Sequence, residues 1–363
     1  MVAKLWRLCL LSLLLSSCSS LHMPQLSLGS KTSPASEAPV KAPAPKQIAL
    51  LLPETGDLGN AGKAIEAGFR DAYQNATQKP IIKVYDESQY REAVSDGANY
   101  VVGPLDKNKV AALESDNNVK VITIALNNPD TSRTVSNLYE FALSPTDEAS
   151  QIADKASQDG YHSALMITPA GPWGQKIANT LQTQWEKDGG VMVGSITVDN
   201  MKTIDKDIRQ LLEVQGSTRR QDFDVIFLVT SPSFARQIKP YLKFYHAENV
   251  PVYSTSLVYS GLMNMGKDND LNGVEFCDMP LVIDQEGQWA QVRQLMLTSQ
   301  APIQQYIRLY GLGYDAAMLT QNFDALNQGV NGATGHLYKN AQNDILRKLN
   351  FAVFSNGVPK PLA

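Results

Sequence analysis

The chain has 363 residues, 43% of them hydrophobic and 19% charged, with 32 Lys and Arg against 36 Asp and Glu. A net charge of −4 without a basic cluster excludes nucleic acid as a partner. Three cysteines, Cys9, Cys18 and Cys277, are too few for a disulfide framework.

At the N-terminus, Lys4 and Arg7 precede an apolar run, Leu8 to Leu15, that is too short to span a bilayer. Leu15-Ser16-Ser17-Cys18 then looks like a lipobox. That resemblance implies that residues 1–17 are a signal peptide, that the chain is cut before Cys18, and that Cys18 is acylated on its thiol and its new amine. Three acyl chains exceed the two signals a stable anchor needs. Ser19 at the next position, where retained lipoproteins typically carry Asp, points to the outer membrane. Loss of the leader leaves 30 basic against 36 acidic residues and Cys277 as the one free thiol. Cys277 lies in the strand-like run GVEFCDMP, where burial is the expectation. Residues 18–46, ending in PASEAPVKAPAPK, have no apolar period and read as a disordered or polyproline tether.

At Gln47 apolar runs of strand length begin to alternate with helical patterns. Residues 48–73, IALLLPETGDLGNAGKAIEAGFRDAY, run a strand into glycines and a helix, the order that can cradle a phosphate. The spacing argues otherwise: five residues separate Gly56 from Gly62-Lys63, Ala64 stands where a hydroxyl would meet magnesium, and Gly56, Gly59 and Gly62 miss the dinucleotide pattern. The glycines are read as serving the turn. IIKVYD, YVVGPL and VKVITIAL follow as strands, with helices from Tyr90 and Lys107 between them. After NLYEFALSPTDEA, Pro145 is placed for the first turn of a helix, with Asp147 and Glu148 beside its positive end. SALMITP, GVMVGSITVD, DVIFLVTS and VPVYSTS alternate with helices at 172–188, 204–214 and 232–247. Such alternation predicts α/β architecture with mostly parallel sheets, helices on both faces. Residues 47–363 exceed one typical core, so two lobes are expected. GVEFCDMP, helices near 287–299 and 303–328 and a last strand LNFAVFSNG complete both. Lobe 1 is placed at about 47–142 and 257–332, lobe 2 at about 143–256 and 333–363.

His22, His162, His246 and His336 are not spaced as metal ligands, and no nucleophile motif is present, so no enzyme, metal or cofactor is indicated. His246, ending a helix, reads as a cap. Ligands between lobes sit at the C-terminal ends of strands. That rule selects Glu54, Thr55, Gly56, Asn127, Trp173, Ser231, Ser254, Thr255, Ser256 and Asp315 as cleft candidates. The three hydroxyls at 254–256 read equally as turn formers. This cleft is polar and nearly uncharged. Glu54 and Asp315 could meet an amine, and no Arg or Lys among these segments could meet a carboxylate.

IALLLP, NLYEFALSPTDEA, ALMITPAGPWG, ARQIKPYLKFYHAENVPVYSTS, DLNGVEFCDMP, RLYGLGYDA and GATGHLY together resemble the LppC family of lipoproteins, LpoA-type activators of penicillin-binding proteins. The resemblance covers Gln47 to Leu362. It implies a two-lobed periplasmic-binding-protein type I fold, an outer-membrane lipid anchor facing the periplasm, and stimulation of peptide cross-linking by a class A penicillin-binding protein. Longer members carry a helical-repeat domain where this chain has its tether. The rival reading is a lipoprotein that binds a small ligand in the interlobe cleft for a transporter or sensor.

Overall fold

The computed structural model describes residues 42–116, 118–131 and 133–362. Cys18, the leader and most of the tether lie outside the described residues. Residues 42–46, read as the end of the tether, belong to the folded unit. Ala42 N–H donates to the Asp324 carboxylate, Tyr100 Oη donates to Pro43 O at 2.8 Å, Asn99 Nδ2 donates to Ala44 O at 2.8 Å, and Lys46 N–H donates to Asn99 Oδ1 at 2.9 Å. A proline-rich run has few N–H groups, and here its carbonyls find side-chain donors on the domain surface.

Three βα steps and two further strands build the first sheet. β1 (Gln47–Leu51), α1 (Gly59–Ala72), β2 (Ile81–Tyr85), α2 (Tyr90–Ser95), β3 (Tyr100–Val102), α3 (Lys107–Asp116), β4 (Ile122–Ala125) and β5 (Leu138–Glu140) give a parallel sheet in the order β2-β1-β3-β4-β5. The continuously apolar strands, such as the buried Ile48 to Leu51, reflect coverage on both faces.

The second sheet takes α4 (Pro145–Gln158), β6 (Ser163–Pro169), α5 (Pro172–Lys187), β7 (Val191–Val198), α6 (Ile204–Leu211), β8 (Val225–Leu228), α7 (Pro232–Phe244) and β9 (Val252–Ser254). Pro145 opens α4 as expected, with Ser144 Oγ accepting Asp147 N–H and Asp147 and Glu148 in the first turn. After α8 (Met265–Asp268), β10 (Val274–Asp278) pairs parallel with β9. The lobe boundaries inferred from sequence therefore change: the 257–278 segment joins the second sheet, because the buried strand Val274–Asp278 extends it.

The C-terminal third serves both sheets. α9 (Pro280–Ile283), α10 (Ala290–Leu297) and α11 (Ala301–Gln304) lead to α12 (Ile307–Gln321). Ile307 and Tyr310 of α12 pack in the core of the second sheet, Leu312, Ala316 and Leu319 in that of the first. β11 (Val330–Gly332), β12 (Gly335–Lys339) and β13 (Ile345–Lys348) form a separate antiparallel sheet. It abuts the edge of the first sheet where Glu140 bridges to Asp344, and Leu337 and Ile345 pack in the first core. These residues were placed in lobe 2 by the sequence reading. β14 (Asn350–Ser355) and β15 (Val358–Pro361) alone return to the second sheet, antiparallel, beside β10.

The glycines of the first βα unit are packing residues. A Cβ on Gly62 would stand 2.1 Å from Pro53 O, and one on Gly68 2.0 Å from Tyr310 O. Gly313 faces Ile65 O in the same way at 2.1 Å, so α1 and α12 meet backbone against backbone.

Candidate functional site

The chain segments that cross between the sheets enclose a pocket of about 240 Å³. Asn127 and Asn128 line it after β4, Glu140 at the end of β5, Asp147 in the first turn of α4, Trp173 and Lys176 on α5, and Asp344 before β13. All but Asp344, which precedes an antiparallel strand, are at C-terminal ends of parallel strands or in the helix starts that follow strands.

The pocket is charged, which corrects the expectation of a nearly uncharged cleft. Asp130, Glu140, Asp147 and Asp344 line it together with Lys107 and Lys176. Both lysines are spent on one carboxylate: Asp130 Oδ2 accepts Lys176 Nζ at 2.6 Å and Lys107 Nζ at 3.2 Å. The Lys176 ammonium, and after it Lys107, holds the Asp130 carboxyl below its ordinary range. Because Asp130 follows β4 and Lys176 stands on α5, this contact ties the first lobe to the second. Each partner is about half exposed, so the pair contributes at most about 1 kcal/mol.

Glu140 is 8% exposed, and burial followed by its neighbour Glu114 pushes its carboxyl up to about 8. Glu114, on α3 and 1% exposed, accepts Thr131 Oγ1 at 2.6 Å. Asp344 and Asp130 act on Glu140 in the same direction. Asp147 is raised as well, by burial.

Of the cleft candidates, the structure brings Asn127 and Trp173 together at this pocket. Asn127 is held by its Nδ2 donating to Leu105 O at 2.8 Å, and Trp173 is 48% exposed. The others do not line it. Glu54, Thr55 and Gly56 form an exposed turn, and Ser231 shares a hydroxyl contact with Ser233 at the start of α7. Ser254, Thr255 and Ser256 are buried: Ser254 Oγ donates across to Leu228 O of β8, Thr255 Oγ1 accepts Leu257 N–H and so closes a turn, and Ser256 N–H donates to Glu148 Oε2 at 3.1 Å. Asp315 is fully buried, so it meets no amine. Its oxygens accept Ala333 N–H at 2.6 Å, Thr334 N–H at 2.7 Å and Thr334 Oγ1 at 2.6 Å, and burial pushes it up to about 6. It fixes α12 to the β11–β12 turn. His246 sits just past α7 with a positive φ of 61° and its carbonyl accepts Arg219 Nε.

Behind the pocket lies a buried ionic network. Arg308 pairs with Asp278 and donates to Ser256 O at 3.1 Å and Tyr259 O at 2.9 Å. Arg347 reaches Glu148 at 3.8 Å and donates to Thr334 O at 3.3 Å. The Cys277 thiol, buried as expected, is pushed well up by burial beside Glu148 and Asp278.

The family model described as "LppC putative lipoprotein" matches residues 40–357. The penicillin-binding protein activator LpoA of Photobacterium profundum is 30% identical over 87% of this chain and 57% of its own length. The chain thus spans somewhat more than half of the curated relatives it matches. The C-domain of LpoA (YraM) from Haemophilus influenzae, described as a regulator of PBP1A, superposes with a TM-score of 0.72 and 26% identity over 88% of this chain and 100% of that domain. A "putative branched-chain amino acid ABC transporter" protein from Chromobacterium violaceum gives a TM-score of 0.69 and 27% identity over 85% of this chain and all of its own. The fold is that of the two-lobed periplasmic binding proteins.

Proposed function

The chain belongs to the LppC lipoprotein family, and from that premise we propose that it is an outer-membrane lipoprotein, acylated at Cys18, that binds a class A penicillin-binding protein and stimulates its transpeptidase activity. The observation that carries the reading is the match, over its whole length, to an LpoA C-domain described as a regulator of PBP1A. The folded part of this chain corresponds to that domain, and its relatives are named activators rather than enzymes. An activator acts by binding the active state of the synthase better than the inactive one, and about 1.4 kcal/mol of difference shifts the population tenfold.

The test is cross-linking by the host's purified class A synthase on its lipid-linked precursor, with and without the purified full chain. A rise in the cross-linked fraction that saturates with added chain is expected. No rise, and no retention of the synthase on the immobilised chain, would refute the proposal. The second reading, capture of a small ligand for a transporter or sensor, is favoured by the lined pocket and the transporter-protein neighbour.

A further inference from the structure

We infer that the interlobe pocket is a binding site for a small organic ammonium ion, held by Glu140, Asp147 and Asp344 with the Trp173 ring at its side. The inference is independent of the activator reading and goes beyond it.

The lining of the pocket carries more acid than base, and Arg347, which acts on Asp147 from outside the lining, is paired with Glu148. Four carboxylates line it, and its two lysines are both engaged by Asp130. Glu140 is more than nine-tenths buried, and the charged groups that act on it most are other acids: Glu114 on α3, Asp344 before β13, and Asp130 in the loop after β4. Among the described residues no donor but a carboxyl serves it. Burial among these acids holds a proton on Glu140 at neutral pH. A ligand ammonium entering the pocket can take that proton's place, meeting Glu140 and Asp344 from the first-lobe side and Asp147 from α4. Trp173, half exposed at the pocket, offers a ring face to the same cation.

The class of cation follows from the donors. A ligand carboxylate would have to break the Asp130 pairs to find a cation. The site therefore selects an amine over the corresponding amino acid. The volume of about 240 Å³ limits it to a few heavy atoms.

The experiment is calorimetric titration of the purified full chain with 1,4-diaminobutane at pH 7.5, in two buffers of different ionisation enthalpy. Binding with a dissociation constant below about 1 mM is expected, with release of up to about one proton per amine bound. L-Alanine should bind at least about tenfold more weakly, since its carboxylate has no free partner. Glu140→Gln, which copies the protonated carboxyl and should fold as the parent does, should weaken diaminobutane at least about tenfold and abolish the proton release. Asp147→Asn should weaken it as well and provides a second reading if Glu140→Gln fails to fold. No heat from the parent at about 10 mM amine, alanine binding as tightly as the diamine, or unchanged affinity in a folded Glu140→Gln or Asp147→Asn protein would each overturn the assignment. None of these outcomes, read on the chain alone, decides whether it stimulates the synthase.

Discussion

Glu140→Gln should change how the stability of the fold depends on pH. The native Glu140 carboxyl holds its proton up to about pH 8, whereas the ordinary value is 4.5. Between these limits the folded chain binds a proton that the unfolded chain has lost, so this group makes stability fall as pH rises. At about 1.36 kcal/mol per tenfold change in affinity for the proton, the ceiling is roughly 4–5 kcal/mol. Water in the open pocket screens part of that, and about 1–2 kcal/mol is expected. Glutamine cannot ionise and keeps the shape of the protonated acid. Urea unfolding at pH 5 should therefore give parent and variant equal within about 0.5 kcal/mol, while at pH 8.5 the variant should be the more stable by the amount above. A difference between the two proteins that is the same at both pH values would refute the reasoning, because it would mean that Glu140 ionises alike in folded and unfolded chains.

Gly68→Ala should cost about 3 kcal/mol or more in the same assay, since its Cβ would stand 2.0 Å from Tyr310 O and force α1 from α12; Gly266→Ala, with nothing within 4 Å, should change stability by less than about 0.5 kcal/mol. Arg347→Met should cost about 3–5 kcal/mol by leaving Glu148 buried without its counter-charge, and adding Glu148→Gln should recover most of it; equal losses in the single and double variants would show that the pair is not coupled. Cys18→Ser should abolish incorporation of a fatty-acid analogue, and label retained on the variant would place the anchor elsewhere. Replacing residues 27–41 by an equal Gly/Ser stretch should preserve wall cross-linking in cells, and deleting them should reduce it.

Much of the architecture was legible because parallel strands buried on both faces are continuous apolar runs, and capped helices separate them. Pro145 with Asp147 and Glu148 marked α4 to the residue. The C-terminal third was less legible. HLYK and ILRK around Asn340–Asn343 do carry the alternation of a hairpin, and Asn343 takes the positive φ of its turn, but four-residue strands that alternate give no hint of which core they join. The cleft was half legible for a similar reason. A rule that follows strand ends finds Asn127 and Trp173, yet it cannot separate a hydroxyl facing a pocket from one closing a turn, as at Thr255, or one bonded to the neighbouring strand, as at Ser254. Lys107, Lys176, Asp344 and the stretch that holds Asp130, Glu140 and Asp147 are separate parts of the chain. What joins them is the meeting of two sheets, and no local pattern encodes that.

The two ionic systems of the cleft differ in strength, and the difference decides what the lobes can do. Behind the pocket, Asp278 with Arg308 and Glu148 with Arg347 are buried carboxylates with their counter-charges, and losing one partner of such a pair costs several kcal/mol. Across the pocket, Asp130 and Lys176 are half exposed, and their contact contributes at most about 1 kcal/mol. Any ligand or partner that prefers one lobe spacing by about 1.4 kcal/mol outweighs the second contact and leaves the first untouched. A cation in the pocket and a protein docked across both lobes would then act on one coordinate, the separation of Asp130 from Lys176. Two binders that act on one coordinate are coupled, and the coupling is reciprocal: an ammonium ion that favours the spacing the synthase prefers must bind more tightly when the synthase is present, by the same factor by which it tightens the synthase.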